Sequence, residues 1–301
     1  MTDGANQRCG FIAVLGAPNV GKSTLVNQMV GAKVSIVSPK VQTTRARVMG
    51  IAIRGDAQLV FIDTPGIFEP RRRLDRAMVA AAWGGVGDGD VRLFLIDGEK
   101  GIDSNSKKII ERLKKQNIRC HLVINKVDKV NKPELLELAA SLSKQEIFDE
   151  IFMISALSGD GVGDLADFLA KQMPAGPWHF PEDQMSDMTE RLLAAEITRE
   201  KLYLELHQEL PYAATVETET WTEKPDGSVR IEQVIFVERD SQKAIILGKG
   251  GAQIKKIGES SRKELEEILG RRVHLFLFVK VREKWGDDPE RYRDWGLDFG
   301  A

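Results

Sequence analysis

The stretch Gly16-Ala17-Pro18-Asn19-Val20-Gly21-Lys22-Ser23 decides the fold of the first half of this chain. It fits the pattern G-x-x-x-x-G-K-[ST], follows an apolar run at residues 11–15 and opens a predicted helix at residues 22–30. In this context the glycines let backbone N–H groups form a concave nest around phosphate oxygens, and the helix N-terminus adds a partial positive charge. Lys22 adds a full charge and Ser23 a hydroxyl ligand for Mg²⁺. We therefore expect residues 16–24, from Gly16 to Thr24, to bind the phosphates of a nucleotide.

Short apolar runs alternate with amphipathic stretches through the rest of the first half. Strands are predicted at residues 11–15, 51–54, 59–62, 91–97, 121–125 and 151–154, and helices at residues 22–30, 104–116, 133–145 and 163–172. Strands that alternate with helices indicate a mainly parallel sheet covered on both faces. With the phosphate loop, this pattern predicts an α/β P-loop nucleoside-triphosphatase domain.

A break follows at residues 173–181, where MPAGPWHFP holds three prolines and one glycine. Beyond it the sequence predicts a smaller α+β domain. Its predicted elements are a helix at 186–207, strands at 214–221 and 229–238, a helix at 252–269 and a strand at 273–281. The predicted domains are residues 1–175 and 186–285, joined by a linker at 176–185 and followed by a tail at 286–301.

The composition agrees with two globular domains. The 301 residues are 42 % hydrophobic and 29 % charged, with a net charge of −2, so any basic surface must be local. Only two cysteines occur, which favours a reducing cytoplasm over a disulfide framework. No apolar run approaches the roughly 20 residues that span a bilayer, so a membrane-spanning protein is excluded, but surface association is not.

Asp63-Thr64-Pro65-Gly66 ends a predicted strand behind the phosphate loop. The Asp63 carboxylate is expected to reach the Mg²⁺ shell, and the absence of a side chain on Gly66 lets its N–H approach a γ-phosphate. The next position holds Ile67, where many small GTPases carry the glutamine that orients the attacking water. An isoleucine can neither orient this water nor stabilise charge. We therefore expect slow intrinsic hydrolysis.

Asn125-Lys126-Val127-Asp128 predicts that the base is guanine. The Asp128 carboxylate accepts two hydrogen bonds from guanine N1–H and its amine, whereas adenine would leave it unpaired. The stem of Lys126 is expected to lie over the base, and Asn125 to tie this loop to the phosphate loop. Ser155-Ala156-Leu157 follows another strand, and the Ala156 N–H is expected to donate to the guanine carbonyl.

These motifs resemble the P-loop GTPases related to translation factors. The resemblance implies a threonine in the first switch that reaches Mg²⁺ and the γ-phosphate; spacing leaves Thr43 and Thr44 open, and we prefer Thr44. Ser23, Thr44 and Asp63 are then the metal ligands, and Lys22, Thr44 and Gly66 act in catalysis. In related GTPases an asparagine at the place of Asn19 helps to hold K⁺ near the phosphates, which predicts K⁺-stimulated hydrolysis here.

Gly248-Lys249-Gly250-Gly251 forms a second glycine-rich turn, before the predicted helix at 252–269. It fits G-x-x-G, the loop with which KH domains clamp a nucleic-acid backbone. Lys249 and Lys255 add charge there, and residues 239–272 hold nine Lys and Arg against five Asp and Glu. This local excess predicts salt-sensitive contacts with phosphates.

A GTPase domain followed by a type II KH domain resembles the Era family, as do VERDSQK at 237–243 and IILGKGG at 245–251. The resemblance runs from about Gly10 to Lys284. It implies GTP hydrolysis with Mg²⁺, binding to the 3′ end of 16S-type ribosomal RNA, and maturation of the 30S subunit. It also implies a cytoplasmic protein, expected as a monomer, with peripheral association at the inner membrane.

Two segments depart from this resemblance or carry no motif. Four glycines at residues 84–89 weaken the helix expected after the second switch, since an interior glycine costs about 1 kcal/mol, and predict a shorter helix or looser coupling to a partner. For the tail, two roles remain open: it covers the KH surface or it contacts RNA.

Two other functions compete with this interpretation. The first is an ATPase or small-molecule kinase, which Asp128 disfavours. The second is an RNA-binding adaptor with a passive first domain, which the complete set of nucleotide motifs disfavours.

Overall fold

The computed structural model describes residues 6–40, 43–45, 47–206 and 210–301. Their contacts divide the chain into two units. The first comprises the residues up to 35, residues 44–187 and residues 292–301, and the second comprises residues 36–43 and 188–291. Two short segments, the one that starts at residue 36 and the one at 292–301, thus belong to the unit that is distant from them in sequence. No helix among the described residues is both long and apolar enough to cross a bilayer.

The first unit is built on a six-stranded sheet. Its strands are β1 (Arg8–Gly16), β2 (Val48–Arg54), β3 (Ala57–Asp63), β4 (Val91–Asp97), β5 (Cys120–Asn125) and β6 (Phe148–Met153). Their order is β2-β3-β1-β4-β5-β6, and every pairing is parallel except that of β2 with β3. The predicted α/β class with a mainly parallel sheet is confirmed. The carboxyl ends of the parallel strands meet at one edge, where open α/β sheets bind ligands.

Five helices cover the two faces of this sheet: α1 (Lys22–Val30), α2 (Arg73–Asp88), α3 (Ser104–Lys115), α4 (Lys132–Ser143) and α5 (Val162–Gln172). Alternate side chains of each strand enter opposite cores. In β4, Leu93 and Leu95 pack in the core beneath α1 and α5, whereas Phe94 and Ile96 pack in the core beneath α2, α3 and α4.

Helix α2 is longer than the glycines at 84–89 predicted, so the expectation of a shorter helix is wrong. It runs unbroken to Asp88 because its apolar side, including Met78 and Ala82, is buried against the sheet. Gly85 lies in the contact itself: a Cβ there would be 3.0 Å from Cγ2 of Thr64. Tertiary packing outweighs the low helix propensity of glycine.

Residues 176–185, the predicted linker, pack along the edge of the first sheet. The buried side chain of Gln58 accepts hydrogen bonds from the backbone N–H groups of His179 and Phe180, at 2.9 and 3.0 Å. The N–H of Ile51 in β2 donates to the carbonyl of Met185 at 2.8 Å. This segment therefore covers an edge strand whose polar groups would otherwise be open to pairing.

The second unit contains helices packed on one three-stranded sheet. Its elements are α6 (Glu190–Glu205), β7 (Ala214–Glu223), β8 (Val229–Val237), α7 (Asp240–Leu247), α8 (Ala252–Leu269) and β9 (Val273–Val281). Strand β8 is central, antiparallel to β7 and parallel to β9. The sequence analysis did not predict α7, because only Ile246 of its eight residues is buried and the segment has no apolar periodicity. His207, the predicted end of the first helix, lies outside the described residues.

Residues 36–40 and 43, which precede the predicted switch threonine Thr44, pack within the second unit. Ile36 is buried in a core with Ala194 and other residues of α6. The N–H of Val37 donates to Glu200 Oε1 at 2.7 Å, and the Lys40 ammonium donates to the carbonyls at the C-terminal end of α6. A cation at that end also complements the helix dipole.

The tail divides between the two units. Trp285 Nε1 donates to the carbonyl of Ala213 at 3.0 Å, and the guanidinium of Arg291 lies 4.6 Å from the ring centre of Phe236 in β8. The first part of the tail therefore covers the sheet of the second unit. A last helix, α9 (Pro289–Asp294), leads to residues that pack in the first unit, where the Arg73 guanidinium lies 4.4 Å from the Phe299 ring centre.

Candidate nucleotide site and nucleic-acid groove

The phosphate loop connects β1 to α1 in a conformation that only glycine adopts readily at two of its positions. Gly16 has φ +152° and Gly21 has φ +99°. A Cβ on Gly21 would lie 2.2 Å from Nδ2 of Asn125, so the base-binding loop packs directly on it. A Cβ on Gly66 would lie 2.9 Å from Cα of Pro18. Gly21 and Gly66 thus let the phosphate loop, the second switch and the base loop approach one another.

Lys22 is buried at the start of α1. Its ammonium donates to the carbonyls of Ala17 and Gly16, at 3.0 and 3.3 Å. Burial lowers the pKa of Lys22 to about 8, although the charge of Asp63 opposes the shift. A bound phosphate would favour the charged form of Lys22 and so offset the effect of burial on its pKa. A lysine that binds phosphate in this loop needs that compensation.

Four oxygen-bearing side chains converge at the carboxyl end of β3. Ser23 donates to Asp63 Oδ2 at 2.7 Å, and its Oγ lies 2.9 Å from Thr44 Oγ1. Ser35 donates to the same Asp63 oxygen at 2.6 Å. The other oxygen, Asp63 Oδ1, is buried with no hydrogen-bond partner among the described residues. A hard donor set with an unsatisfied carboxylate oxygen fits Mg²⁺.

This cluster favours Thr44 over Thr43 as the metal ligand of the first switch. Thr44 Oγ1 lies 3.5 Å from Asp63 Oδ2, whereas the Thr43 hydroxyl donates to the carbonyl of Lys40 at 2.8 Å. Burial raises the pKa of Asp63, while hydrogen bonds from Ser35 and Ser23 and the charge of Lys22 oppose the rise. A bound divalent cation would hold this carboxyl ionised. Ser35 was missed from the sequence, which contains no motif around it.

Asn125 links the base loop to the phosphate loop. Its Nδ2 donates to the carbonyl of Val20 at 2.8 Å, as the sequence predicted. Its Oδ1 accepts from the N–H of Ala156 at 2.9 Å. The Ala156 N–H is therefore engaged by Asn125, and its contact with the guanine carbonyl stays a prediction. Ser155 is buried and Leu157 is 78 % exposed at the mouth of the site.

Lys126 is held by a carboxylate that the sequence analysis missed. The Lys126 backbone is left-handed, with φ +65°, and its ammonium donates to Asp97 Oδ2 at 2.6 Å and to the carbonyl of Asn19 at 2.8 Å. The Asp97 side chain is only 4 % exposed. A signal was present, because Asp97 ends the strand next to the one that ends in Asn125. Asp128 lies exposed beyond Lys126, where its carboxylate is accessible to a base.

The second switch begins with three fixed residues. The Thr64 hydroxyl donates to the carbonyl of Val14 at 2.8 Å, and Pro65 and Gly66 follow it as buried residues. The N–H of Ile67 donates to the carbonyl of Gly16 at 3.1 Å, and its side chain is 7 % exposed in the core beneath α2. Residue 67 is therefore a packing residue of this core.

The glycine turn of the second unit directly precedes α8, and one side of that helix lines a groove. Gly248, Gly250 and Gly251 have φ of +70°, +61° and +79°, and Lys249 is exposed between them. The groove lies between α8 and β9 and has a volume of about 490 Å³. It is lined by Ile254, Lys255, Gly258, Glu259, Arg262, Leu275, Phe276 and Leu277. An apolar floor with a charged rim is suited to unpaired bases and their phosphates.

Known proteins resemble both units. Residues 11–126 match the family model described as 50S ribosome-binding GTPase, and residues 209–286 match the KH domain model. The chain is 64 % identical to GTPase Era of Rhizobium meliloti strain 1021 over 97 % of this chain and 93 % of that protein. It belongs to the Era family of GTPases. GTPase Era of Brucella suis biovar 1 is 61 % identical over 99 % of this chain and 96 % of that protein.

Solved Era structures have the same fold. Aquifex aeolicus Era, crystallised as a variant bound to GDP and aluminium fluoride, superposes with a TM-score of 0.91 at 41 % identity, covering 96 % of this chain and 99 % of that one. An Era complex with MgGDPNP and nucleotides 1506–1542 of 16S ribosomal RNA gives the same values. The predicted Era-type architecture and the predicted GTPase activity, in which GTP and water give GDP and phosphate, are confirmed.

Proposed function

We propose that this Era-family GTPase binds the 3′ end of small-subunit ribosomal RNA through its KH domain and uses GTP to time the maturation of the 30S subunit. The observation that carries the proposal is the Gly248–Gly251 turn, which directly precedes α8, the helix that lines the groove together with β9. Further support comes from the related Era complex, which holds nucleotides 1506–1542 of 16S ribosomal RNA together with a magnesium-bound GTP analogue.

The groove is proposed to clamp a single strand. Lys249 at the turn and Lys255 one turn into α8 neutralise phosphates, and the glycines allow the backbone of the strand to approach closely. Gly258 of α8 faces Leu277 of β9, where a Cβ would make an ordinary contact of 3.4 Å with Cδ1 of Leu277. Bases then rest on the apolar floor rather than on the charged rim.

In the nucleotide site, Lys22 is proposed to neutralise the terminal phosphates and the Gly66 N–H to contact the γ-phosphate. Ser23, Thr44 and Asp63 would hold Mg²⁺, which supplies further charge neutralisation when bound. Positioning and charge neutralisation are the main requirements of phosphoryl transfer. The buried Ile67 leaves this chain without a water-orienting glutamine, which supports slow intrinsic hydrolysis.

Asn19 is proposed to help bind K⁺ beside the phosphates. Its backbone is left-handed, with φ +63°, and its carbonyl is engaged by Lys126 at 2.8 Å. Lys126 thus anchors the loop at Asn19. A monovalent cation there would supply the charge that residue 67 does not.

A cytoplasmic location with peripheral inner-membrane association, and a monomeric state, complete the proposal. The location is supported by the two cysteines, which are both buried as free thiols. Burial raises the pKa of Cys120 to about 12, so this thiol stays protonated and unreactive.

RNA binding is tested with the double substitution Lys249→Gln and Lys255→Gln. We expect affinity for an RNA matching the 1506–1542 segment to fall about tenfold, and the salt slope to fall by about 1 for each lysine that binds a phosphate in the parent protein. The matched control is Lys263→Gln with Lys280→Gln, two exposed lysines outside the groove lining. Fluorescence anisotropy measures both. An equal decrease in the control, or an unchanged affinity in the first variant, would overturn the KH assignment.

A further inference from the structure

The GTP site leaves one strongly charged surface of the first unit unused. Residues 69–73 and 104–115 hold eight Lys and Arg against two Glu, in a chain whose net charge is −2. All eight cations are exposed. We call the surface formed by these two segments the α3 basic face.

Two contacts join the segments into one surface. Lys108 of α3 forms an ion pair of 2.7 Å with Glu69, just before the arginine run that starts α2. The hydrogen bond from Lys108 and the charges of Lys108 and Arg71 hold the pKa of Glu69 below its usual value. Further along, the Arg112 guanidinium lies 4.0 Å from the ring centre of Trp83 on α2. Helices α2 and α3 are therefore neighbours, and Lys108 of α3 lies beside the segment that contains the arginine run.

Three lysines of this face are available to a partner. None of the described residues forms an ion pair with Lys107, Lys114 or Lys115. Lys107 and Lys114 are seven residues apart, which places them about two turns, or roughly 10 Å, from each other along the same side of α3. A nucleic-acid duplex carries roughly one charge per 1.7 Å of its axis, so this length spans several phosphates.

We propose that the α3 basic face binds the phosphate backbone of duplex RNA, in addition to the single strand held by the KH groove. The inference rests on the proposed function. A KH domain clamps about four nucleotides, whereas the related Era complex holds nucleotides 1506–1542. Most of an RNA of that length lies outside a KH groove and has its phosphates available to a second basic surface.

The side chains of the face favour duplex RNA over a single strand or a lipid surface. Single strands are bound by stacking bases on exposed aromatic rings, and interfacial helices insert large apolar side chains into lipid. Among the described residues, no large hydrophobic side chain that is exposed lies in residues 69–73 or 104–115. Trp83 beside them is covered by Arg112. The face therefore offers positive charge without exposed apolar side chains, which suits the phosphate backbone of RNA.

The test uses the full-length protein carrying Lys107→Gln, Lys114→Gln and Lys115→Gln. The control carries Lys132→Gln, Lys144→Gln and Lys171→Gln, which removes the same charge from exposed positions elsewhere on the same unit. Anisotropy titrations from low to moderate KCl compare two RNAs: a 3′-terminal single strand, and the same strand preceded by a hairpin. Affinity for GDP is measured in parallel to show that the fold is kept.

For the hairpin RNA, we expect the affinity of the first variant to fall about tenfold, and its salt slope to fall by about 1 for each lysine that binds a phosphate in the parent protein. Binding of the single strand should be unchanged in both variants. An equal decrease in the control, an equal decrease for both RNAs, or unchanged hairpin binding would overturn the inference. So would weaker binding to anionic phospholipid vesicles with hairpin binding intact, which would assign the face to a membrane. If Lys249→Gln with Lys255→Gln leaves all RNA binding intact, the KH proposal fails instead.

Discussion

The hydroxyl of Ser23 donates a 2.7 Å hydrogen bond to Oδ2 of Asp63, 40 residues away in sequence. Ser23 lies in the first turn of α1 and Asp63 ends β3, so the bond joins the phosphate loop to the second switch. Thr44 of the first switch lies within 2.9 Å of the same hydroxyl. Three segments predicted to contact the nucleotide or its Mg²⁺ therefore meet at the predicted metal site.

Thr44→Ala should abolish most GTP turnover, whereas Thr43→Ala should leave it nearly unchanged. The first substitution removes a proposed metal ligand, while the second removes a hydrogen bond to the carbonyl of Lys40. We expect kcat to fall at least a hundredfold in the first variant, comparable with removal of one transition-state interaction. Single-turnover hydrolysis at saturating Mg²⁺ measures it. Equal effects in both variants would assign the result to the loop as a whole.

GDP binding should take up a proton above about pH 8. Burial lowers the pKa of Lys22 from 10.5 to about 8, and a bound phosphate favours the charged form. GDP affinity should thus fall as the pH rises above 8, by up to about tenfold per unit. Calorimetry at pH 8.5 in two buffers of different ionisation enthalpy detects the uptake, and pH 7 serves as the control. Identical enthalpies in the two buffers at pH 8.5 would contradict it.

The same shift makes the nucleotide-free protein more stable at high pH. Between pH 8 and 10.5 the unfolded chain binds the Lys22 proton and the folded chain does not, so the contribution of this group to the free energy of unfolding rises with pH. Thermal melts of Lys22→Met against the parent across this window show it. The melting temperature of the parent should rise relative to that of the variant as the pH increases.

Asp97→Asn should weaken GDP binding about tenfold without unfolding the first unit. The buried Asp97 carboxylate orients Lys126, and the amide keeps its shape but not its charge. A tenfold change corresponds to about 1.4 kcal/mol. Asp103→Asn is the control, because Asp103 caps α3 by accepting from the Ser106 N–H at 2.7 Å. The control should leave the dissociation rate of GDP unchanged and change the melting temperature little, because asparagine caps a helix about as well as aspartate. If Asp97→Asn changes only the melting temperature, its role is structural.

Gly84→Ala and Gly87→Ala should each stabilise the protein by up to about 1 kcal/mol, whereas Gly85→Ala should not. A Cβ at 84 or 87 meets no atom within 4 Å, but at 85 it lies 3.0 Å from Thr64. Melting temperatures of the three variants provide the measurement. Three equal shifts would mean that α2 does not press on the second switch at Gly85.

Hydrolysis should be faster in K⁺ than in Na⁺ at matched ionic strength, and Asn19→Ala should remove the difference. The asparagine is the proposed ligand, and the alanine variant keeps no side-chain oxygen there. Phosphate release at saturating GTP gives the two rates. Equal rates for the parent in both salts would refute the K⁺ proposal and leave the rest of the site intact.

Contiguous motifs were predictable because a few neighbouring residues specify their conformation. The phosphate loop needs only its glycines, Lys22 and the strand before it, and the Gly248–Gly251 turn is similarly local. Short elements with little burial were not predictable. Helix α7 buries only Ile246, so its sequence contains no apolar repeat to detect.

Interactions across long sequence separations could not be predicted where no motif contains the residues that make them. Asp97 pairs with Lys126 across 29 residues, and Ser35 donates to Asp63 across 28. Gln58 holds the predicted linker at Phe180 from 122 residues away. Each of these depends on which distant segments become neighbours in the fold, and no short stretch of sequence contains that information.

The sequence by itself determined that a guanine-nucleotide domain precedes a KH domain, because each motif places its ligand groups within a few residues of one another. Tertiary structure decided the rest. It separated Thr44, beside Asp63, from Thr43, whose carbonyl accepts from Arg199 in the second unit. It also committed the Ala156 N–H to Asn125. These outcomes depend on packing between distant segments, where a difference of one residue reverses the direction in which a side chain points.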